Sequence, residues 1–99
     1  MAGSGNNQPM LTRLAIIFSG KVQGVGFRAT TRDVMRGFAV TGWVSNQPDG
    51  SVRTEVQGEV TAIEAALAKL RERTGGYIRG ERAYTLGLEA DEEGFEIHR

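Results

Sequence analysis

Residues 13–19, RLAIIFS, alternate in polarity and run directly into GKVQGVGFR, residues 20–28, which carries glycines at 20, 24 and 26. Beyond that segment the apolar residues Phe27, Val34, Met35 and Phe38 recur at helical spacing. A change of period from two to about 3.6 across permissive backbone sets a strand, a loop and a helix in that order. The strand presents Leu14, Ile16 and Phe18 to the core, and the helix spans about 27–38. Glycines let the intervening loop take left-handed or crowded conformations, so that successive amide N–H groups turn toward one point. Such a concavity suits an anion.

The rest of the chain supplies partners for this unit. Residues 41–46 and 51–57 flank QPDG, where Pro48 presets its φ and Gly50 accepts a positive one, giving a β-hairpin. Val60, Ile63, Leu67 and Leu70 then line one stripe of a helix over 60–73, with Thr61 and Glu64 placed for a capping box if the helix begins late. Thr30 and Thr31 weaken the first helix, Gly37 helps to end it, and Gly75–Gly76 close the second. A fourth strand is expected over 82–89 and a short last one over 95–98. The order βαββαβ plus a strand predicts an α+β, ferredoxin-like sandwich, an antiparallel sheet with both helices on one face. Residues 1–9, MAGSGNNQP, read as a disordered tail before a single domain over 10–99.

Composition narrows the chemistry. Twelve basic and twelve acidic side chains cancel, so no long-range positive field draws nucleic acid or an anionic membrane. The 99 residues hold no cysteine and one histidine, His98, which excludes disulfides, thiolate zinc sites and covalent catalysis by cysteine. No run reaches the ~18 apolar residues of a membrane helix, and the N-terminus lacks the features of a signal peptide, so the expected location is the cytoplasm.

Arg28 falls in the first turn of its helix, where the macrodipole disfavours a bare cation by roughly 0.3–1 kcal/mol. Arg32, one turn on, adds like-charge repulsion. Behind the glycine loop, the better reading of Arg28 is a guanidinium fork that grips a phosphate or carboxylate together with loop amides. GVGFRA lacks the third glycine of a dinucleotide fingerprint, and no Gly-Lys-Ser/Thr completes a P-loop. Asn46, just before the hairpin turn, reads equally as a turn cap and as a site residue. Lys21, Gln23, Asp49 and Arg53 read as solvated or turn side chains, and EADEEGFE as a solvated turn whose spacing matches no calcium loop.

Together, GKVQGVGFR and GWVSNQPDGSV closely resemble the two motifs of acylphosphatases, small enzymes that hydrolyse the carboxyl-phosphate bond of acyl phosphates. The resemblance runs from about residue 13 to the end and implies the same ferredoxin-like fold. It implies that Arg28 and the amides of Gln23, Gly24, Val25, Gly26 and Phe27 bind the phosphate, and that Asn46 orients the attacking water. It implies no cofactor and no metal. Its ligands are a small acyl phosphate and inorganic phosphate, the latter as product and competitor, and the chain is a monomer with no nucleic-acid or membrane partner. Phe18, Ser45 and Ala39 depart from the family's usual smaller aliphatic, longer or basic, and glycine residues.

The chemistry accounts for the sparse set of reactive groups. The leaving carboxylate has a conjugate acid of pKa about 4 and departs without a proton from the enzyme. Phosphoryl transfer of this kind rests on positioning and charge stabilisation. Two other readings compete: a slow phosphate-binding module, and RNA binding on the open sheet face. That face is expected to show Ala15, Ile17, Arg53, Glu55 and Gln57, with no aromatic ring for stacking.

Overall fold

A computed structural model of the chain describes residues 10–99, so the tail expected over 1–9 lies outside the described residues. Seven elements follow in order: β1 Leu11–Gly20, α1 Phe27–Met35, β2 Val40–Asn46, β3 Val52–Glu59, α2 Val60–Thr74, β4 Ile78–Leu86 and β5 Phe95–His98. The sheet order is β4-β1-β3-β2-β5. The βαββαβ core is antiparallel as expected, and Ile16 and Phe18 of β1 enter the core with Leu14 packed against it. They meet Val44, Val52 and Val56 of the neighbouring strands, Phe27, Val34 and Met35 of α1, and Ile63, Ala66, Leu67 and Leu70 of α2. Each large side chain so buried contributes about 1.5–3 kcal/mol. No described helix is long and apolar enough to cross a membrane.

Four expectations are corrected. The sheet is mixed, because β5 pairs with β2 in parallel, Gly42 opposite Phe95. The chain leaves β4 beside Arg13, at the end of the sheet where β2 begins, and residues 87–94 carry it across to the opposite edge, so β5 must run alongside β2. The acidic run in that crossing is not simply solvated: Glu92 accepts two hydrogen bonds from the Arg13 guanidinium, at 2.8 and 3.1 Å, and one from Thr41 Oγ1. Arg13 is 1% exposed and also donates to Glu55 at 3.0 Å, while Gln57 exchanges two hydrogen bonds with the Glu89 backbone. Burial pushes the Glu92 carboxyl up, but the bonds from Arg13 and Thr41 outweigh it and hold it below the usual carboxylate range.

Element boundaries and caps differ as well. The fourth strand starts and ends earlier than 82–89, since an exposed edge strand carries no strict polarity alternation to mark it. α1 stops at Met35, with Gly37 and Phe38 N–H turning back to Val34 and Met35 carbonyls. α2 follows β3 without a break and forms no capping box; the Val60 N–H goes instead to the Met10 carbonyl at 3.3 Å. Finally, the sheet face away from the helices does carry rings. Trp43 sits opposite Glu55 and stacks on His98 at 5.0 Å, and Tyr84, opposite Ala15, is 47% exposed. Cross-strand partners share a face.

The three departures from the family pattern fit their surroundings. Phe18 is fully buried with its ring edge-on to Phe27 at 5.3 Å. Ser45 lies opposite Arg53 on the far face, and Ala39 takes no left-handed φ, so the bend after α1 does not require glycine there.

Candidate active site

The site forms where β1 gives way to α1. Gly20 closes the strand at φ +122°, and a Cβ there would lie 2.4 Å from the Tyr77 carbonyl, the group that accepts the Lys21 N–H. Val22 then anchors the loop in the core at 1% exposure. Gly24 and Gly26 sit at φ +79° and +78°, and Gly26 is the N-cap of α1 in the left-handed conformation, where a side chain would be strained. Its carbonyl accepts the Thr30 N–H at 3.0 Å. The amides of Phe27, Arg28 and Ala29 thus open the helix with no intrahelical acceptor, no side chain caps them, and the first turn holds no acid. The positive end of the dipole is presented outward.

The loop is tied to the β2–β3 turn. The Gln23 carboxamide donates to the carbonyls of Gln47 and Ser51, both at 2.8 Å. Asp49 shapes that turn by accepting from the Ser51 hydroxyl at 2.6 Å and the Ser51 N–H at 2.9 Å, and those bonds, the hydroxyl's foremost, lower its pKa.

Between loop, helix and sheet edge lies a cleft of about 220 Å³. Gly24, Gly26, Phe27 and Arg28 line it together with Asn46, so the structure brings together the phosphate-facing and water-facing residues expected from sequence. Gln23 and Val25 do not line it: the first spends its carboxamide on the turn, and the second is 42% exposed. Asn46 Oδ1 is buried and has no hydrogen-bond partner among the described residues. Arg28 is half-buried and makes no ion pair with a described residue.

Sequence reasoning missed Val22, Ala29, Ile97 and Arg99 as lining residues. Val22 lies within the first motif and Ala29 directly follows it, so both were within reach. Ile97 and Arg99 follow from β5 docking beside β2, which no local pattern announces.

A cleft with a helix N-terminus, a guanidinium and no acidic side chain among its lining residues can hold a tetrahedral oxyanion. Among the described residues no three of His, Asp and Glu gather as metal ligands. The chain is also similar to known proteins. The family model described as Acylphosphatase matches residues 14–97. An acylphosphatase of Rhizobium etli is 44% identical over 95 residues, 95% of this chain and 97% of that protein. One of Salinibacter ruber is 38% identical over 88% of this chain and 93% of its own length. The structure of an acylphosphatase from Coxiella burnetii, 27% identical, superposes with a TM-score of 0.78 over 93% of this chain and 99% of that one. A family model that fits nearly the whole described domain, and relatives matched over almost their full length, show that the chain belongs to the acylphosphatase family, enzymes that hydrolyse acyl phosphates.

Proposed function

We propose that the cleft splits the carboxyl-phosphate bond by direct attack of a water molecule held by Asn46 on a phosphoryl group bound by the 20–28 loop and Arg28. The observation that carries this reading is that Asn46 lines the same cleft as Gly24, Gly26, Phe27 and Arg28, where α1 opens with uncapped amides.

The phosphoryl oxygens accept from the loop amides that line the cleft, those of Gly24, Gly26 and Phe27, and from the fork of Arg28, which offset the charge spread over them in the transition state. The Asn46 carboxamide hydrogen-bonds the water and so aims an oxygen lone pair at phosphorus, in line with the leaving group. The new P–O bond forms as the bond to the acyl oxygen breaks, the carboxylate departs with that electron pair, and the proton of the attacking water passes to solvent. Inorganic phosphate is left in the cradle and competes there with substrate. In this reading the enzyme acts without metal, as a cytoplasmic monomer with no nucleic-acid or membrane partner.

The test is an assay of benzoyl phosphate and a sugar monophosphate, each with and without a chelator. The acyl phosphate is expected to be hydrolysed equally in both conditions, and the monoester, a far poorer leaving group, scarcely at all. Comparable turnover of the sugar phosphate overturns the assignment. Activity lost to the chelator and restored by magnesium overturns the metal-free mechanism.

A further inference from the structure

The zero net charge conceals a division along the strands. Strand pairing sets residues 44–46, 52–54, 78–83 and the close of β5 level with residues 16–20 of β1, at the end of the sheet that holds the cleft. The start of α1 and the second half of α2 lie in the same half, because α1 leaves that end of the sheet and α2 returns to it. Of the twelve basic side chains only Arg13, Arg32 and Arg36 lie in the far half, and of the twelve acidic ones only Asp49, Glu72 and Glu81 lie in the cleft half. The cleft half therefore carries nine basic side chains against three acidic ones, or eight against three with Arg99 set aside. Those bases are scattered in sequence from Lys21 to Arg82, so composition shows a balance that the fold undoes.

Most of this charge stands outside the cleft. Arg73, in the last turn of α2, and Arg79, on β4, are exposed, line no part of the cleft and make no ion pair with a described residue. β4 lies three strand spacings from β2, which puts Arg79 roughly 15 Å from Asn46. A field of one sign reaches that far at an ionic strength of 0.01 M, where the Debye length is about 30 Å, and is extinguished at 1 M, where it is about 3 Å. A surface of one sign raises the local concentration of its counter-ion, and a doubly charged ligand gains more than a singly charged one. We propose that the basic half of the molecule is an electrostatic funnel that concentrates dianionic acyl phosphate at the cleft, with Arg73 and Arg79 drawing the substrate without touching it. This rests on the acylphosphatase reading above, and extends it from the cleft to the surface around it.

Reversing both charges, Arg73→Glu with Arg79→Glu, tests the funnel against the charge-preserving pair Arg73→Lys with Arg79→Lys. Phosphate affinity is read from melting shifts, and kcat and KM from benzoyl phosphate, at ionic strengths of about 0.01 and 1 M. At the lower one the glutamate pair should weaken phosphate binding and raise KM by roughly tenfold, the size expected when two reversed charges act on a dianion from about 15 Å, while kcat stays unchanged. At the higher one the difference should shrink below about twofold, and the lysine pair should match wild type at both. Equal affinities at low salt, or a loss that persists at high salt, overturn the funnel and leave the acylphosphatase reading intact. Phosphate binding that shows the expected salt dependence in a protein unable to hydrolyse benzoyl phosphate upholds the funnel and overturns that reading.

Discussion

Gln23 and Gln47 fix the distance between the two halves of the site: the Gln23 carboxamide donates to the Gln47 carbonyl at 2.8 Å, and Gln47 directly follows Asn46. The same NH₂ also reaches Ser51 O at 2.8 Å. Gln23→Leu, similar in size, removes one donor from each of two carbonyls, leaving Gln47 O with the Gly50 N–H and Ser51 O with the Gln47 N–H. A cost of about 1–3 kcal/mol in a melt is expected, with a fall in kcat of at least about tenfold as loop and Asn46 drift apart. A stable variant with wild-type kcat would mean that the tie does not govern catalysis.

Arg28→Lys keeps the charge but loses the planar fork. Phosphate affinity and turnover should both decline, turnover by about 10²- to 10³-fold if the fork acts as an oxyanion donor does elsewhere. Steady-state kinetics with phosphate as competitive inhibitor measure both, and a change below tenfold speaks against the role.

Asn46→Ala separates binding from chemistry. Its Oδ1 has no partner to lose, so the variant should melt within about 1 kcal/mol of wild type. Hydrolysis should nearly vanish, yet phosphate should still stabilise the protein by about 2.7 kcal/mol at a hundred times its dissociation constant. Loss of that phosphate-induced shift would place Asn46 in the phosphate cradle instead.

Acid should loosen the crossing segment through Glu92. Its folded pKa is depressed, so its contribution is complete above the unfolded value of about 4.3 and disappears as pH falls through the lower folded value. Glu92→Gln should therefore be less stable than wild type at pH 7, and the gap should close below about pH 4. Melts across that range test it; a gap constant with pH would show that the Arg13 pairing contributes nothing through charge.

Which features were legible in the sequence follows a physical line. Phe18, Val34, Ile63 and Leu70 announced their elements because burial on one face imposes a period. Arg28 and the glycines stood out because a cation at a helix start behind permissive backbone needs an explanation. Arg13 gave no such sign: on a strand face expected to be open it looks solvated, and only the 79-residue separation closed by Glu92 buries it. Trp43 escaped for a related reason, since its partner His98 reaches it through a strand whose direction depends on the crossing. Asn46 stayed ambiguous because its position before a turn suits a cap as well as a site residue, and only the folded chain places it on the cleft.

The stacking of Trp43 on His98 turns the chain's single tryptophan into a reporter of its final strand. The rings lie 5.0 Å apart with planes 10° from parallel, and this contact exists only when β5 has docked against β2. Indole emission therefore follows the step that brings Ile97 and Arg99 to the cleft, whereas far-ultraviolet ellipticity follows the helices, both earlier in the chain. In a refolding experiment enzymatic activity should return with the fluorescence.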